Sequence, residues 1–289
     1  MEEVQRRRAL LPYLLLAPGL GWLLLFFAVP LVLMAFESLK TGTIDTGFKF
    51  DWAFSNYTDA LSGYKDQFIR SFEYAGLATA LSLLIGYPLA YAIAFRGGKW
   101  RNALLLAVIL PFFVTYLIRT LSWETILDDE GFVVNALQAV GIVPEHGRVL
   151  ATTGAVVAGI TYNFLPFMIL PLYASLERID HRLLEAAYDL YGKRRDVFRR
   201  VTLPLSMPGV VAGVLLTFIP AAGDFVNATL LGTPRQYMIG NVIQSQFLVI
   251  NDYPSAAALS FILMAIILVL VLAWARFAGT ESLMGSEAR

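Results

Sequence analysis

The chain has 289 residues, of which 57% are hydrophobic and only 15% are charged, and its mean hydropathy is +0.64. A soluble domain is usually about half apolar and about a quarter charged, so this composition argues against one. The net charge of zero gives no electrostatic footprint for a nucleic-acid partner, and the absence of cysteine excludes disulfides and thiolate metal sites.

Apolar runs follow one another along the chain, and each is long enough to cross a bilayer, which takes roughly 20 apolar residues. The first run is longer than the apolar region of a cleavable signal peptide, about 7–15 residues, and is therefore interpreted as an uncleaved span. Helices are expected because lipid offers no partner to unpaired backbone groups. The sequence predicts an all-α polytopic membrane protein forming a single transmembrane domain over 1–289, with six spans at about 10–36, 70–95, 102–123, 150–172, 207–227 and 256–277.

Basic residues set the expected orientation of these spans. With the N-terminus inside, fifteen of the 22 Lys and Arg residues fall in the termini and in the loops after spans two and four. Six fall in the other loops, and Arg119 lies within a span. Because cytoplasmic loops carry an excess of Lys and Arg, both termini are predicted to be cytoplasmic.

Arg119 lies inside the third span and Glu124 follows directly after it, and both are candidate functional residues because a charge in hydrocarbon costs several kcal/mol. Arg119 and Glu124 are five residues apart, a poor spacing for a pair on one helix, so each is free to pair with a neighbouring helix. The alternative for Arg119 is that it extends to the outer headgroups. In span four, Tyr162 is a candidate for contact with a cationic substrate, and Asn163 is interpreted as a helix–helix hydrogen-bonding residue.

The segment between spans four and five, about 176–206, has the pattern of an amphipathic element. Asp180 is a plausible N-cap for a helix from about His181 to Tyr191, and Gly192 is a natural stop. Its apolar face is predicted at helical spacing, from Leu183, Leu184, Ala187 and either Leu190 or Tyr191. A basic second limb from Lys193 to Arg200 leads into span five. Two interpretations stay open from the residues alone: docking in a partner's groove, or lying on anionic lipid headgroups.

Span five carries Asp224, one helical turn after Pro220 and near the predicted outer end. Pro220 frees a backbone carbonyl and Gly223 permits bending, so a kink or an unwound turn beside a cavity is expected. A carboxylate there would attract an ammonium-bearing substrate, and Phe225 or Tyr162 would add cation–π contact. The alternative is that Asp224 caps a helix or pairs with another subunit.

Motifs of ATP binding and hydrolysis are missing from the sequence. It contains no G-x-x-x-x-G-K-[ST], so the chain is not expected to cradle ATP phosphates. No H-E-x-x-H and no nucleophile–base arrangement is recognisable. We therefore predict that the chain is not an enzyme on its own and has neither catalytic nor metal-binding residues.

The segment 176–206 resembles the EAA loop in permease subunits of binding-protein-dependent ABC importers. The resemblance rests on Glu185-Ala186-Ala187, a glycine soon after, and Val201-x-Leu203-Pro204, although Tyr191 stands at the family's usual glycine and Gly192 follows. Six further stretches look like the spermidine/putrescine permease branch: Gly86–Tyr91, Leu117–Thr120, Tyr162–Met168, Pro171–Glu177, Phe218–Phe225 and Ile239–Asn241.

The resemblance implies a type I ABC importer permease fold in a bacterial inner membrane. It implies two ATPase subunits that use ATP and Mg, a second homologous permease and an extracytoplasmic binding protein, with no cofactor held by this chain. In the family the loop is a coupling helix seated in a cleft of the ATPase, with Glu185 facing a basic residue there. By resemblance, the coupling residues are Glu185, Ala186, Ala187, Asp189, Tyr191, Gly192, Leu203 and Pro204.

Import of a small cation, spermidine or putrescine, is the expected function. One alternative is an importer of the same class for another small organic solute. The other is a self-sufficient channel or secondary transporter, a class that tends to show internal repeats and several buried ionisable groups. This sequence shows no such repeat, and that alternative leaves the Glu185 loop unexplained.

Overall fold

A computed structural model describes residues 15–141, 144 and 147–278 of the chain. A two-stranded antiparallel hairpin, β1 (Lys40–Thr41) and β2 (Lys49–Phe50), is the sheet structure found there. The rest of the regular structure is helical, so the all-α prediction is confirmed. In chain order the helices are α1 (Leu15–Ser38), α2 (Ser55–Gly63), α3 (Lys65–Arg96), α4 (Arg101–Ile109), α5 (Tyr116–Leu127), α6 (Phe132–Ala139), α7 (Thr153–Glu177), α8 (His181–Tyr191), α9 (Arg194–Ala222), α10 (Val226–Leu231), α11 (Ile239–Ile250) and α12 (Tyr253–Ala278).

Five helices, α1, α3, α7, α9 and α12, contain stretches long and apolar enough to cross a membrane. A sixth span results if Gly98–Phe113 and Tyr116–Leu127 are counted together, although these two pieces are bent by 94°. The structure thus differs from the continuous third span predicted at 102–123. Val114 and Thr115 are extended, with ψ of 135° and 148°, shortly after Pro111, which has no amide hydrogen to continue a helix.

The predicted ends of two other spans also need comment. Residues 10–14 of the first span, and the basic residues before them, lie outside the described residues. Span five was predicted to reach 227, but α9 ends at Ala222, with Gly223 as its C-cap. At its other end α9 extends back to Arg194, so the basic second limb of the loop is helical and continuous with the span. Asp224 and Phe225 therefore follow the helix rather than belong to it.

The chain divides into two compact units, and the smaller contains the described chain up to Gly63 together with Ile243–Ile262. Hydrogen bonds from α2 hold the hairpin to the end of α1 in this unit. The Asn56 Nδ2 atom donates to the carbonyls of Ser38 and Lys40, at 2.9 Å each. The Ser38 Oγ and Tyr57 hydroxyl oxygens lie 2.6 Å apart.

The larger unit contains Tyr64–Val242 together with the described chain from Leu263, and α3, α7 and α9 form its centre. Glycines on α9 let two helices approach closely. A Cβ atom at Gly209 would lie 2.7 Å from the Pro171 carbonyl oxygen, and one at Gly213 would lie 2.7 Å from the Met168 Sδ. Small residues four apart are a common device for close helix packing in membranes. This packing fixes the two ends of α9, where both candidate sites lie.

Candidate functional site

Helix α8 begins and ends where local side-chain chemistry requires. The Asp180 Oδ1 accepts a hydrogen bond from the Arg182 amide at 2.9 Å, as an N-cap does. Gly192 follows the helix at φ 65°, and its amide donates to the Tyr188 carbonyl at 2.8 Å. Positive φ strongly favours glycine. The stop therefore comes directly after Tyr191, which explains why glycine stands at 192.

The two sides of α8 have different surroundings. Ala187 is buried, and Leu184 packs against an apolar cluster that includes Ile179 and Leu176. Leu183 was predicted on the same apolar face, and Leu190 as an alternative to Tyr191 there, yet the two leucines are 52% and 79% exposed. The predicted apolar face is thus divided between the core and the surface. We call the exposed residues between Leu183 and Leu190 the exposed side of α8; its members are Leu183, Glu185, Ala186, Tyr188, Asp189 and Leu190.

Three aromatic residues of α3, spaced four apart, hold the loop from inside. We call Tyr87, Tyr91 and Phe95 the aromatic row. The Phe95 ring lies 5.9 Å from the ring of His181, the first residue of α8. The rings of Tyr87 and Tyr91 lie 5.7 and 6.3 Å from that of Phe198 in the second limb. One face of α3 therefore contacts both limbs of the loop through edge-on ring pairs.

The second limb enters the span through an irregular turn. Phe198–Thr202 forms a π-helical turn, after which Leu203 is half-buried and Pro204 is exposed. The Tyr87 hydroxyl and the Ser206 Oγ are 2.8 Å apart, which joins the start of the span to α3. Such π turns occur often at functional positions in helices.

A second candidate site lies at the other end of α9, around Asp224, which is only 6% exposed. Its Oδ1 accepts hydrogen bonds from the Tyr116 hydroxyl and from the Val226 amide, both at 3.0 Å. Its Oδ2 accepts from the Asn227 Nδ2 at 2.6 Å. The carboxylate is therefore held by three donors, two of them in α10 and one in α5.

Amide and hydroxyl groups extend this arrangement to α7. The Asn163 Nδ2 donates to the Thr120 Oγ1 at 3.1 Å and to the Asn227 Oδ1 at 3.2 Å. These bonds agree with a helix–helix role for Asn163. The Asn227 Nδ2 also donates to the Tyr116 hydroxyl oxygen at 2.6 Å. We call these residues the polar cluster: Tyr116, Thr120, Asn163, Asp224 and Asn227.

Arg119 is buried beside the polar cluster, with 7% exposure. Its guanidinium carbon lies 5.2 Å from the centre of the Phe112 ring and 5.7 Å from that of Tyr116. Within the described part of the chain, its Nε and Nη1 have no hydrogen-bond partner. This burial argues against the headgroup alternative, and no ion pair with Glu124 is found among the described residues.

The other predicted pathway residues lie in different surroundings. The Tyr162 ring packs edge-on against Trp123 at 5.3 Å and lines an apolar cavity of about 280 Å³. Phe225 is 37% exposed, and its carbonyl accepts from the Asn241 Nδ2 at 2.9 Å. Glu124 is half-buried. Of the five predicted pathway residues, Asp224 and Arg119 both contact the same side chain, that of Tyr116.

Sequence reasoning did not identify Tyr116, Thr120 or Asn227. A weak signal existed for each: the first two are four residues apart on one helix face, and Asn227 follows Asp224 by three residues at a helix start. Their common contact with Asp224 or Asn163 joins segments that are far apart in sequence. No group of three His, Asp or Glu residues that would hold a metal is found among the residues that the structure describes.

Comparisons with known proteins agree with this architecture. Residues 82–278 match the family model of binding-protein-dependent transport system inner membrane components. The spermidine/putrescine transport system permease protein PotB of Haemophilus influenzae is 39% identical over 257 residues, covering 89% of this chain and 90% of that protein. The Escherichia coli protein of the same name is 38% identical over 256 residues, covering 88% and 93%. A bacterial alginate ABC transporter, in complex with an alginate pentasaccharide-bound periplasmic protein, has a chain that matches with a TM-score of 0.70 at 22% identity, covering 96% and 97%.

Proposed function

The chain belongs to the family of binding-protein-dependent transport system inner membrane components, and from this premise we propose that it forms half of a pathway for spermidine or putrescine. It is a permease subunit of an ABC importer, without catalytic chemistry of its own. The substrate proposal is carried by one observation, the extent of its identity with the two polyamine permeases. The remaining half of the pathway would come from a second, homologous permease.

The exposed side of α8 supports docking in a groove of an ATPase subunit. Glu185 and Asp189 are exposed there, and anionic headgroups would repel both carboxylates. The same side presents Leu183 and Leu190 to solvent, which favours a partner with an apolar groove. Two ATPase subunits would use ATP and Mg, one against each permease, and Ala186, Ala187, Tyr191, Gly192, Leu203 and Pro204 complete the proposed coupling set.

In the same proposal, Asp224 is the residue through which the pathway attracts a cation. Three protein donors reach the Asp224 carboxylate and the Asn227 backbone amide also acts on it, so its negative charge, rather than a vacant acceptor site, would attract an ammonium group. Phe225, directly beside it and partly exposed, would add cation–π contact. Arg119 would repel a polyamine and so mark an edge of the route, with Tyr162 and Glu124 as further candidates.

Uptake into vesicles tests the function. The chain is reconstituted with an ATPase, a second permease and a binding protein, and labelled spermidine or putrescine uptake is measured with and without ATP. We expect ATP-dependent uptake that is lost on Glu185→Arg, because the reversed charge would oppose a basic residue of the ATPase. Glu130→Arg reverses the charge of an exposed acid in another loop and is expected to leave uptake unchanged.

The outcomes separate the parts of the proposal. If an assembled complex hydrolyses ATP but moves no polyamine, the assignment to the importer class stands and the polyamine substrate is refuted. Another small organic solute would then have to be found. Failure of any ATPase subunit to bind the chain would refute the docking role of α8.

Both termini are proposed to lie in the cytoplasm, as the distribution of Lys and Arg supports. The chain contains no cysteine, so a single cysteine introduced near either end is the only thiol of this chain that a membrane-impermeant reagent can label. Labelling of either thiol in intact cells from outside would contradict this orientation.

A further inference from the structure

The first half of the broken span, α4, is packed loosely compared with the helices around it. Neither α4 nor the turn Leu110–Phe113 that follows it contains a buried residue. Leu105 and Val108 reach the apolar cluster but are only partly buried. By contrast, α3, α7 and α9 each contribute several fully buried residues. The position of α4 therefore depends on a small number of specific contacts.

One of these contacts lies at the first residue of α4, Arg101. Its guanidinium forms an ion pair with Glu177, the last residue of α7. Its Nε donates a hydrogen bond to the Tyr173 hydroxyl, and its guanidinium carbon lies 5.1 Å from the centre of that ring. Tyr173 and Glu177 are one helical turn apart, so the Arg101 side chain contacts both at the end of α7. We call Arg101, Tyr173 and Glu177 the Arg101 clamp.

The Arg101 clamp lies where the broken span comes close to the α8 loop. Glu177 is separated from His181, the first residue of α8, by one short turn. Directly after the break, Tyr116 and Thr120 in the first turns of α5 belong to the polar cluster, where Tyr116 donates to Asp224 and Thr120 accepts from Asn163. The span is thus attached beside the loop at the start of α4, and to the surroundings of Asp224 just after the break.

The clamp is too exposed to serve mainly as a stabilising contact. The side chains of Arg101 and Glu177 are 31% and 44% exposed, and ion pairs in such surroundings contribute little to stability because water screens them. Guanidinium groups nevertheless impose a defined geometry on the carboxylates that they bind. The Arg101 clamp therefore fixes the position of α4 rather than adding to the stability of the chain.

We propose that Arg101 is a positioning residue, and that its clamp on Tyr173 and Glu177 transmits movement of the α8 loop to the broken span α4–α5. The inference rests on the proposed function, in which an ATPase displaces α8. The aromatic row carries the same displacement to α3 by apolar contact, whereas α4 follows through the clamp. Loss of the clamp would therefore leave ATP hydrolysis in place and reduce the solute moved for each ATP.

Charge reversal and its repair test the proposal in the reconstituted complex. Arg101→Glu and Glu177→Arg are each expected to lower the ratio of uptake to ATP hydrolysis by at least about fivefold, the low end of coupling between two sites. The double variant that exchanges the two charges is expected to recover at least about half of the wild-type ratio, since it restores an opposite pair at the same place. Lys99→Glu makes the same charge change at an exposed residue two positions away and is expected to keep the wild-type ratio.

A distance measurement gives a readout that does not depend on transport. Spin labels on cysteines introduced at Leu104 and Leu121, exposed residues of α4 and α5, would report the angle between the two half-spans. In the wild-type complex the distance is expected to change on ATP binding, and in Arg101→Glu it is expected to stay constant.

The results distinguish this inference from the proposed function. Absence of ATP-dependent uptake in the wild type would refute the proposed function. A wild type that couples, together with single variants that couple equally well or an exchanged pair that does not recover, would overturn the inference alone. An ATP-dependent distance change that survives in Arg101→Glu would overturn it as well.

Discussion

The two ends of α9 use polar residues in opposite ways. At one end, the polar cluster is buried, and every oxygen of Asp224 has a donor within the chain. At the other, the exposed side of α8 presents carboxylates and leucines that contact nothing in the described chain strongly enough to bury them. Buried polar groups need partners, and large exposed apolar side chains on a short helix indicate a partner yet to bind.

The contrast separates stability from recognition. Substitutions in the polar cluster should unfold or loosen the chain, because a buried donor that loses its acceptor costs about 1–3 kcal/mol. Substitutions on the exposed side of α8 should leave folding unchanged and act on a partner. Four substitutions, two in or beside the polar cluster and two on or directly after α8, test this division from the largest expected effect to the smallest.

Asp224→Ala tests the polar cluster most severely. It removes the Asp224 acceptor of the Tyr116 hydroxyl and of the Val226 backbone amide, and one of the two acceptors of the Asn227 side chain, so we expect a loss of about 3 kcal/mol in the free energy of unfolding. The measurement is thermal unfolding of the purified chain in detergent. Asp45→Ala removes an exposed carboxylate and serves as the control. Equal unfolding midpoints for both variants would break the contrast.

Gly240→Ala tests the packing beneath the same cluster. A Cβ there would lie 2.5 Å from the carbonyl oxygen of Gly223, a backbone atom next to Asp224 that has little room to move. Overpacking of this kind should destabilise the chain by about 2 kcal/mol. Gly76→Ala meets no atom within 4 Å and should unfold at or above the wild-type temperature. A stable Gly240→Ala variant would mean that residues 223–225 are free to shift.

Leu190→Glu is the matching test on the exposed side of α8. The side chain is 79% exposed, so the unfolding midpoint should stay unchanged while the affinity for the ATPase falls at least about tenfold, as expected for an apolar contact at a binding hot spot. Titration of labelled ATPase into the reconstituted permease pair measures this. Leu61→Glu, at a 50% exposed leucine of α2, should bind normally. Destabilisation by Leu190→Glu would show that the residue is part of the fold.

Gly192→Ala should have the smallest effect. Its φ of 65° is unfavourable for a residue with a Cβ by about 1 kcal/mol, and the strain falls on the last turn of α8. Faster hydrogen exchange of amides in that turn, with the global unfolding midpoint nearly unchanged, is the expected observation. Gly63→Ala, at a helix end with open space and no positive φ, is the control.

Local signals predicted one region well. The sequence alone predicted α8 with its cap at Asp180 and its stop at Gly192, because both depend on residues two to four positions apart. Hydropathy also located the long helices. It missed the bend after Pro111, since averaging over a window conceals a break that a single proline and two extended residues create.

The polar cluster resisted prediction for the opposite reason. Asp224 was recognised as a candidate, yet its partner Tyr116 is 108 residues away, and no pattern in one sequence indicates that the two meet. The fate of Arg119 was equally undecided, because burial under Phe112 and Tyr116 depends on how the broken span folds back. Contacts made across helices need the assembled structure.

The bend between α4 and α5 has a consequence for hydration. The first amides of α5, those of Tyr116, Leu117 and Ile118, are separated from the preceding turn by the extended residues Val114 and Thr115, and Thr115 supplies no side-chain cap. Hydrocarbon cannot satisfy such groups, so we expect water to reach them at the break. We expect rapid deuterium uptake at the amides of Tyr116, Leu117 and Ile118 and slow uptake along α7. That result would show that water enters a part of the chain that hydropathy alone marks as membrane-spanning.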